Sequence, residues 1–455
     1  MANTYGETNL KRRIGFLGLL AMSVGLNIGG SLFALTTLAA GMSGPSLPLA
    51  MLISSIPCLL AVIPYCILTS SLPTTAATYR YIQLISPALS LVTMLTLLVC
   101  SVIGAQPLFA LAFGMYLQKI IPIDPIISGL LVLTFFYVIN ILGVELLARL
   151  QIILLFLLIT ALSMFVVLGL PEVEPGRFSV LFPNGIGGVL TATGLLFTFS
   201  AGGFFVIDMG GEVIQAKRVF PKVLFLGIFI VVIINILIMI VVVGVADIET
   251  LKGKSLLHVS EMFMSGPAVL FFSIGGALVA CATTINVIFS TIARGLMVVA
   301  RDGLLPKFLG NVNQRFGTPH FGLTMVYLVS AIALVSIPSL LFFGSMLNLG
   351  LIVSITLVAA SGLFFPNRYP HLYAKSFFKV PPRLRQIACI GVIGINLLIF
   401  VFFTFAIGKA TFVFFGIVVA ASLYTLSKKK DFSSFDIFIA LPELREETEE
   451  LRING

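Results

Sequence analysis

Long apolar stretches separated by short polar connectors occupy almost the whole chain. A helix crossing about 30 Å of hydrocarbon needs roughly 20 mainly apolar residues. Twelve stretches meet that need: 14–40, 46–71, 87–119, 126–144, 149–170, 187–212, 221–246, 267–300, 321–341, 343–365, 386–408 and 410–427. They are too long for barrel strands and lack the two-residue alternation a membrane barrel requires, so the pattern predicts helices. The spans at 343–365 and 410–427 follow their predecessors so closely that each pair is expected to be a tight hairpin.

The connectors carry the charge. With the N-terminus inside, 22 of the 27 Lys and Arg residues fall in inner segments, and only Lys119, Arg177, Lys252, Lys254 and Lys409 lie outside. The positive-inside rule then places both termini in the cytoplasm of a cell membrane, as an even number of spans requires. Residues 1–13 form an inner tail. The polar, acidic stretch 428–455 is expected to be a solvated tail or a short surface helix. Lys11-Arg12-Arg13 precedes an apolar run too long for a cleavable leader.

Composition agrees. Of 455 residues 59% are hydrophobic and 10% charged, against about 25% charged in a soluble domain. The net charge of +9 would suit a nucleic-acid binder only if it gathered on one soluble face; no nucleic-acid partner is expected. Cys58, Cys66, Cys100, Cys281 and Cys389 lie in apolar runs without CxxC spacing, and read as small buried hydrophobes. His258, His320 and His371 fall in connectors. Neither a metal nor an organic cofactor is expected, and no phosphate-binding G-x-x-x-x-G-K-[ST] loop is present.

Two spans are interrupted. The first contains Ser23-Val24-Gly25-Leu26-Asn27-Ile28-Gly29-Gly30-Ser31-Leu32-Phe33, and the sixth Phe199-Ser200-Ala201-Gly202-Gly203-Phe204-Phe205-Val206-Ile207-Asp208-Met209-Gly210-Gly211-Glu212. Small residues also serve plain helix packing. Two such clusters, in corresponding spans of two halves, point instead to discontinuous helices around a mid-membrane site, where exposed N–H groups and positive dipole ends receive an anionic group.

Three segments resemble the amino acid–polyamine–organocation (APC) superfamily of permeases. Ile28-Gly29-Gly30-Ser31-Leu32-Phe33 resembles its I-G-x-G-I-F; Gly203-Phe204 with Glu212-Val213 and Pro221 resembles its G-F…E-V-x-N-P…P; and Ala300-Arg301-Asp302-Gly303-Leu304-Leu305-Pro306-Lys307 with Thr318-Pro319 resembles its A-R-D-G-x-L-P-K…T-P. The resemblance implies an all-α LeuT-type fold with inverted repeats at 14–170 and 187–365, helices 1 and 6 broken, and peripheral spans at 386–427. It implies a substrate carboxylate on the N–H groups of Gly29, Gly30 and Ser31. The amino group would lie near carbonyls about Asn27, Ile28, Ser200, Ala201, Gly202 and Gly203, with Phe204, or Phe205 beside it, as an extracellular-side gate. The chain departs from the family in Gly-Gly-Ser for Gly-x-Gly and in Gln215-Ala216 for Asn-Pro.

Asp208 is the acidic residue clearly within a span, with Glu212 a turn further on. An intramembrane carboxylate costs about 2.5–3.5 kcal/mol on insertion scales and is a functional candidate by default. Either is expected to pair with Arg294 in a cytoplasmic gate, while a titrating Asp208 would couple transport to protons. Sodium would need oxygen ligands, and Thr283 and Thr284 with first-span carbonyls could supply them. Span five, Leu150 to Gly169, has no lysine, which argues against the lysine-based coupling that some relatives use. Coupling to H+, coupling to Na+ and uncoupled exchange stay open.

These readings converge on a secondary transporter, not an enzyme, moving a neutral or apolar amino acid by alternating access. A carrier of a polyamine, nucleobase or other organic cation is the alternative, and an amino acid sensor a remoter one.

Overall fold

The computed structural model describes residues 12–251 and 254–428. Apart from residues 12, 13 and 428, the two expected tails lie outside the described residues. Among these, helices account for the architecture, and strand pairing is confined to two isolated bridges, Ile14 with Val213 and Thr75 with Met209. Helices are the form that lets apolar runs satisfy their own backbone hydrogen bonds in hydrocarbon.

In chain order the first helices are α1 (Phe16–Asn27), α2 (Gly30–Ser43), α3 (Leu47–Ser71), α4 (Ala77–Gln83), α5 (Pro87–Cys100), α6 (Gln106–Leu117), α7 (Pro125–Leu142) and α8 (Val144–Gly169). They are followed by α9 (Gly185–Leu196), α10 (Thr198–Ala201), α11 (Ala216–Val245), α12 (Ile248–Leu251), α13 (Leu256–Ser260), α14 (Gly266–Phe271) and α15 (Val279–Arg301). The last are α16 (His320–Ser336), α17 (Leu340–Arg368), α18 (Pro370–Ala374), α19 (Pro382–Ala406) and α20 (Lys409–Ser427). Among the described residues ten runs are long and apolar enough to cross a membrane, and α16 is a shorter apolar helix of 17 residues.

The first of the ten, Phe16–Ser71, has 56 residues and would extend about 84 Å if straight. It is cut twice. At Gly29 the backbone becomes extended (φ −60°, ψ −150°). At Gly44 φ is +68°, and Pro45 opens a short 3₁₀ turn into α3. The sequence pattern set the α16 span at 321–341; the helix ends at Ser336, because Pro338 follows and Ser339 caps α17 through the Phe342 N–H.

Two long runs change their winding. Ser101–Ala105 and Phe272–Leu278 are π-helical turns joining α5 to α6 and α14 to α15. The run Gly185–Asp208 passes from α9 through α10 into a 3₁₀ segment at Gly202–Asp208. This run is the most enclosed of the ten, with 89% of its apolar window buried, against 22% for α20. The exposed faces of α19 and α20 carry Phe405, Phe412 and Leu423, as suits a lipid-facing periphery. All five cysteines are buried thiols.

Small side chains decide how closely the centre packs, since hydrocarbon gives no hydrophobic drive between helices. A methyl group on Gly202 would meet the Leu26 carbonyl oxygen at 2.7 Å, and one on Gly203 the Ser23 carbonyl oxygen at 2.8 Å. The Gly202–Asp208 segment thus lies backbone to backbone against α1. One end of the bundle, called here the N-terminal face, gathers residues 12–14, α4 and the turn at Met209–Gln215.

Candidate functional site

The two interruptions meet. Asn27, the last residue of α1, accepts the Gly203 N–H on its Oδ1 at 2.6 Å, and the Ser23 hydroxyl donates to the Gly203 carbonyl at 3.3 Å. Ser200 shares a hydrogen bond with Ser55 of α3 at 3.1 Å, and Asn235 of α11 donates to the Phe199 carbonyl. Asn348 of α17 serves the turn between α9 and α10: its Oδ1 accepts the Thr198 N–H at 2.7 Å, while its amide donates to the carbonyls of Leu195 and Gly344. Backbone groups freed by the irregular winding are thereby bonded by side chains from α1, α11 and α17, as burial at this depth demands.

Gly29 and Gly30 occupy the first break as expected. Gly29 has no side chain to cap α2, and the Gly30 N–H donates to the Thr284 hydroxyl at 3.1 Å. Ser31 is fully buried, its hydroxyl 3.5 Å from the Asn27 carbonyl. Thr283 and Thr284 on α15 both donate to the carbonyls of Gly25 and Ala280, at 2.8–3.4 Å. The threonine pair and first-span carbonyls named from sequence are therefore neighbours.

Phe204 and Phe205 are buried, and the Phe204 ring packs on Tyr65 with centroids 4.3 Å apart. Tyr65 lies six residues before the end of α3 that leads to the N-terminal face. Phe204 lies within the unwound segment, its ring turned toward that end of α3. The reason is the run's direction: α9 enters from the opposite face, so residues after Gly203 are already descending.

The N-terminal face is closed by polar contacts. Arg294 donates through Nε and Nη2 to Glu212 Oε1 at 3.0 and 2.7 Å, and through Nη1 to Ser290. The expected acid–Arg294 pair thus forms with Glu212. Asp208 binds elsewhere: it accepts the backbone N–H and hydroxyl of Thr78 at 2.7 and 3.2 Å. A second buried pair, unforeseen from sequence, joins Arg80 of α4 to Asp302 through two hydrogen bonds of 2.7 and 2.8 Å, with Tyr79 donating to the same carboxylate. Asp302 was visible as part of the Ala-Arg-Asp-Gly segment, but nothing local named its partner. The chain's first described residues add a strap: the N–H groups of Arg13 and Ile14 donate to the Glu212 carbonyl.

The opposite face holds an open cavity of about 960 Å³ lined by Phe33, Thr37, Tyr116, Lys119, Lys254 and His258 among others. Tyr116 is part of its wall. Its hydroxyl donates to the Phe33 carbonyl at 2.9 Å and accepts the Leu256 N–H at 3.2 Å, while its ring meets Phe33 edge-on. Among the described residues no group of three or more His, Cys, Asp or Glu could hold a metal.

These features define a polytopic membrane protein organised around two interrupted helices that are fastened to each other. Residues 14–427 match the amino acid permease family, and the chain belongs to that family, within the APC superfamily. It is 24% identical over 461 aligned residues to a branched-chain amino acid permease of Bacillus subtilis (strain 168), covering 94% of this chain and 96% of the relative. It is 21% identical to a methylthioribose transporter of the same organism, covering 82% and 85%. With cationic amino acid transporter 3, mitochondrial, of Arabidopsis thaliana it shares 25% over 77% of this chain and 62% of the relative. The protein is a membrane transporter, not an enzyme.

Proposed function

We propose that this chain is a secondary transporter that moves a neutral, apolar amino acid across the cell membrane by alternating access. The observation that carries the reading is the junction of the two breaks, Asn27 to Gly203, set among buried apolar side chains such as Ile28, Phe109 and Phe204. A zwitterion's carboxylate suits the first turn of α2, whose amides and helix dipole favour an anion. Its amino group suits the carbonyl-rich end of α1 and the Ser200–Gly203 segment. The charges nearest the junction, Asp208, Glu212 and Arg294, are engaged with partners at the N-terminal face, which favours an uncharged side chain on the substrate. The branched-chain permease among the relatives agrees with that choice.

Crossings number twelve in this reading: Phe16–Ser71 divides at Gly44 into two, and α16 joins the ten long runs. Spans one to five and six to ten are the two repeats, with α19 and α20 peripheral. The N-terminal face is cytoplasmic by the positive-inside rule. Glu212–Arg294 and Arg80–Asp302 then form the inner gate and Tyr116 the outer closure. Coupling by H+ through Asp208, by Na+ at Thr283 and Thr284, or exchange without an ion are the three modes to separate.

The test is uptake into proteoliposomes of a labelled panel of amino acids, amines, nucleobases and methylthioribose, with no gradient, a sodium gradient, a proton gradient, or internal unlabelled substrate. Accumulation or exchange of leucine, isoleucine or valine supports the reading. Movement of an amine, a base or a sugar thioether alone would refute the substrate class.

A further inference from the structure

Two stretches of the chain carry basic residues and no acid to balance them. Between Val213 and Ala246, and again from Gly303 to Lys430, there is no Asp or Glu. The first stretch contains α11 and the second the connector from α18 to α19, and these two meet. The Arg218 guanidinium lies over the Phe377 ring, 5.4 Å from its centroid, and the Phe225 and Phe378 rings pack with centroids 5.6 Å apart. Lys222 is one turn from both Arg218 and Phe225 on the same helix face, so it stands between the two contacts. Arg218, Lys222 and Lys379 are exposed, and none of the three forms an ion pair among the described residues.

The arrangement is held in place. The Ser70 and Ser376 hydroxyls share a hydrogen bond at 2.6 Å, the Phe378 N–H donates to Ser70 Oγ at 3.4 Å, and the Tyr373 hydroxyl donates to the Val380 carbonyl at 3.2 Å. The connector is thereby pinned to the end of α3, with Phe377 54% exposed. Beyond Lys222, toward the middle of the bundle, the same face of α11 continues as Phe225, Leu226, Phe229 and Ile233, all exposed. Cations at the polar end of a lipid-facing apolar stripe, with an aromatic ring at headgroup depth, suit a phosphate that has acyl chains beneath it. A guanidinium over a ring still offers its N–H groups to phosphate oxygens. An acidic soluble partner would match the charge but not the apolar stripe.

We propose that Arg218, Lys222 and Lys379 form a binding site for the phosphate of an anionic phospholipid, whose acyl chains lie along the α11 stripe. The site adjoins the closed face. Arg218 lies three residues after Gln215, whose φ of +51° ends the turn that carries Glu212. A headgroup bridging α11 to the connector braces the start of α11, and with it the turn that pairs Glu212 with Arg294. Placing the lipid in the cytoplasmic leaflet rests on the orientation given above; the site itself does not.

The experiment uses the full chain in detergent: wild type, Arg218→Gln with Lys222→Gln, and Lys307→Gln with Arg315→Gln. The last pair removes the same charge from another connector of that face. Melting temperature is followed while dioleoylphosphatidylglycerol, dioleoylphosphatidylcholine or inorganic phosphate is titrated in. The proposal expects a saturable rise with phosphatidylglycerol in the wild type and the Lys307/Arg315 variant, and little change with the other two additions. The Arg218/Lys222 variant should need several-fold more phosphatidylglycerol for the same rise. An equal response to phosphatidylcholine, or to inorganic phosphate, overturns it, as does an equal loss in both double variants, which would mark diffuse surface charge. Wild-type indifference to phosphatidylglycerol overturns it too and, if the Arg218/Lys222 variant melts differently without lipid, assigns those cations to a contact within the protein. If that double variant does not fold, Lys222→Gln alone decides: a shifted phosphatidylglycerol midpoint supports the site and an unshifted one overturns it. None of these readouts needs a transported substrate, so failure of every amino acid to move would fault the transport reading alone.

Discussion

Asn27 Oδ1 and the Gly203 N–H, 176 residues apart in sequence, lie 2.6 Å apart and tie the end of the first helix to the unwound part of the sixth. Asn27→Ala leaves a buried N–H without an acceptor, which costs about 1–3 kcal/mol. Thermal unfolding in detergent should show a lowered melting temperature. Substrate affinity should fall more than expression, because the freed segment carries the carbonyls assigned to the amino group.

Gly29 tolerates no side chain. A methyl group there would collide with the Thr284 hydroxyl and the Gly25 carbonyl, whereas one on Gly41 meets nothing within 4 Å. Gly29→Ala is expected to abolish transport and Gly41→Ala to leave it close to wild type. Thr284→Ala should not rescue Gly29→Ala, because the carbonyl remains.

Breaking the Glu212–Arg294 pair leaves one buried charge alone, at a cost of about 3–5 kcal/mol. Glu212→Gln should therefore lower the melting temperature sharply. The double replacement Glu212→Gln with Arg294→Met removes both charges and should recover much of that loss, since isosteric neutral pairs are often no worse than buried ion pairs. Melting curves of the wild type and the two variants check it.

Arg80 and Asp302 should couple in a double-mutant cycle. Arg80→Ala and Asp302→Ala are each expected to destabilise the protein, and the double variant to fall short of their sum by about 1–3 kcal/mol. A pair that opens during the cycle would show the same coupling in transport rate.

Tyr116→Phe keeps the ring against Phe33 and removes one hydroxyl that serves both the Phe33 carbonyl and the Leu256 N–H. A modest loss of about 1–2 kcal/mol should appear as faster release of bound substrate toward the cavity side, measured by dissociation of labelled substrate from detergent-solubilised protein.

Hydrophobic run length located the membrane-crossing helices closely, and Gly29-Gly30 with Gly202-Gly203 marked both interruptions, because a glycine pair in an apolar run is a local signal. Glu212 and Arg294 were also readable, as charges at the ends of apolar runs with few alternatives. Depth is what such patterns convey; the direction a side chain faces around its helix is not. Arg80 was therefore one basic connector residue among many, although it finds Asp302 222 positions away. Asn348 stood as a single amide in a long apolar stretch, indistinguishable from a packing residue until its neighbours were known. The π turns at Ser101–Ala105 and Phe272–Leu278 left no mark in composition; the first lies against α17 and the second against α8.

The strap at the start of the chain bears on the order in which the protein is made. The N–H groups of Arg13 and Ile14 donate to the Glu212 carbonyl, and the Ile214 N–H returns to Ile14. Residues 12–14 leave the ribosome before 212–214 exist, so this segment must wait for its partner carbonyl until residue 212 has been made. Sealing of that face is thus a late event in biogenesis, and a nascent chain halted before residue 212 should leave residues 12–14 open to protease.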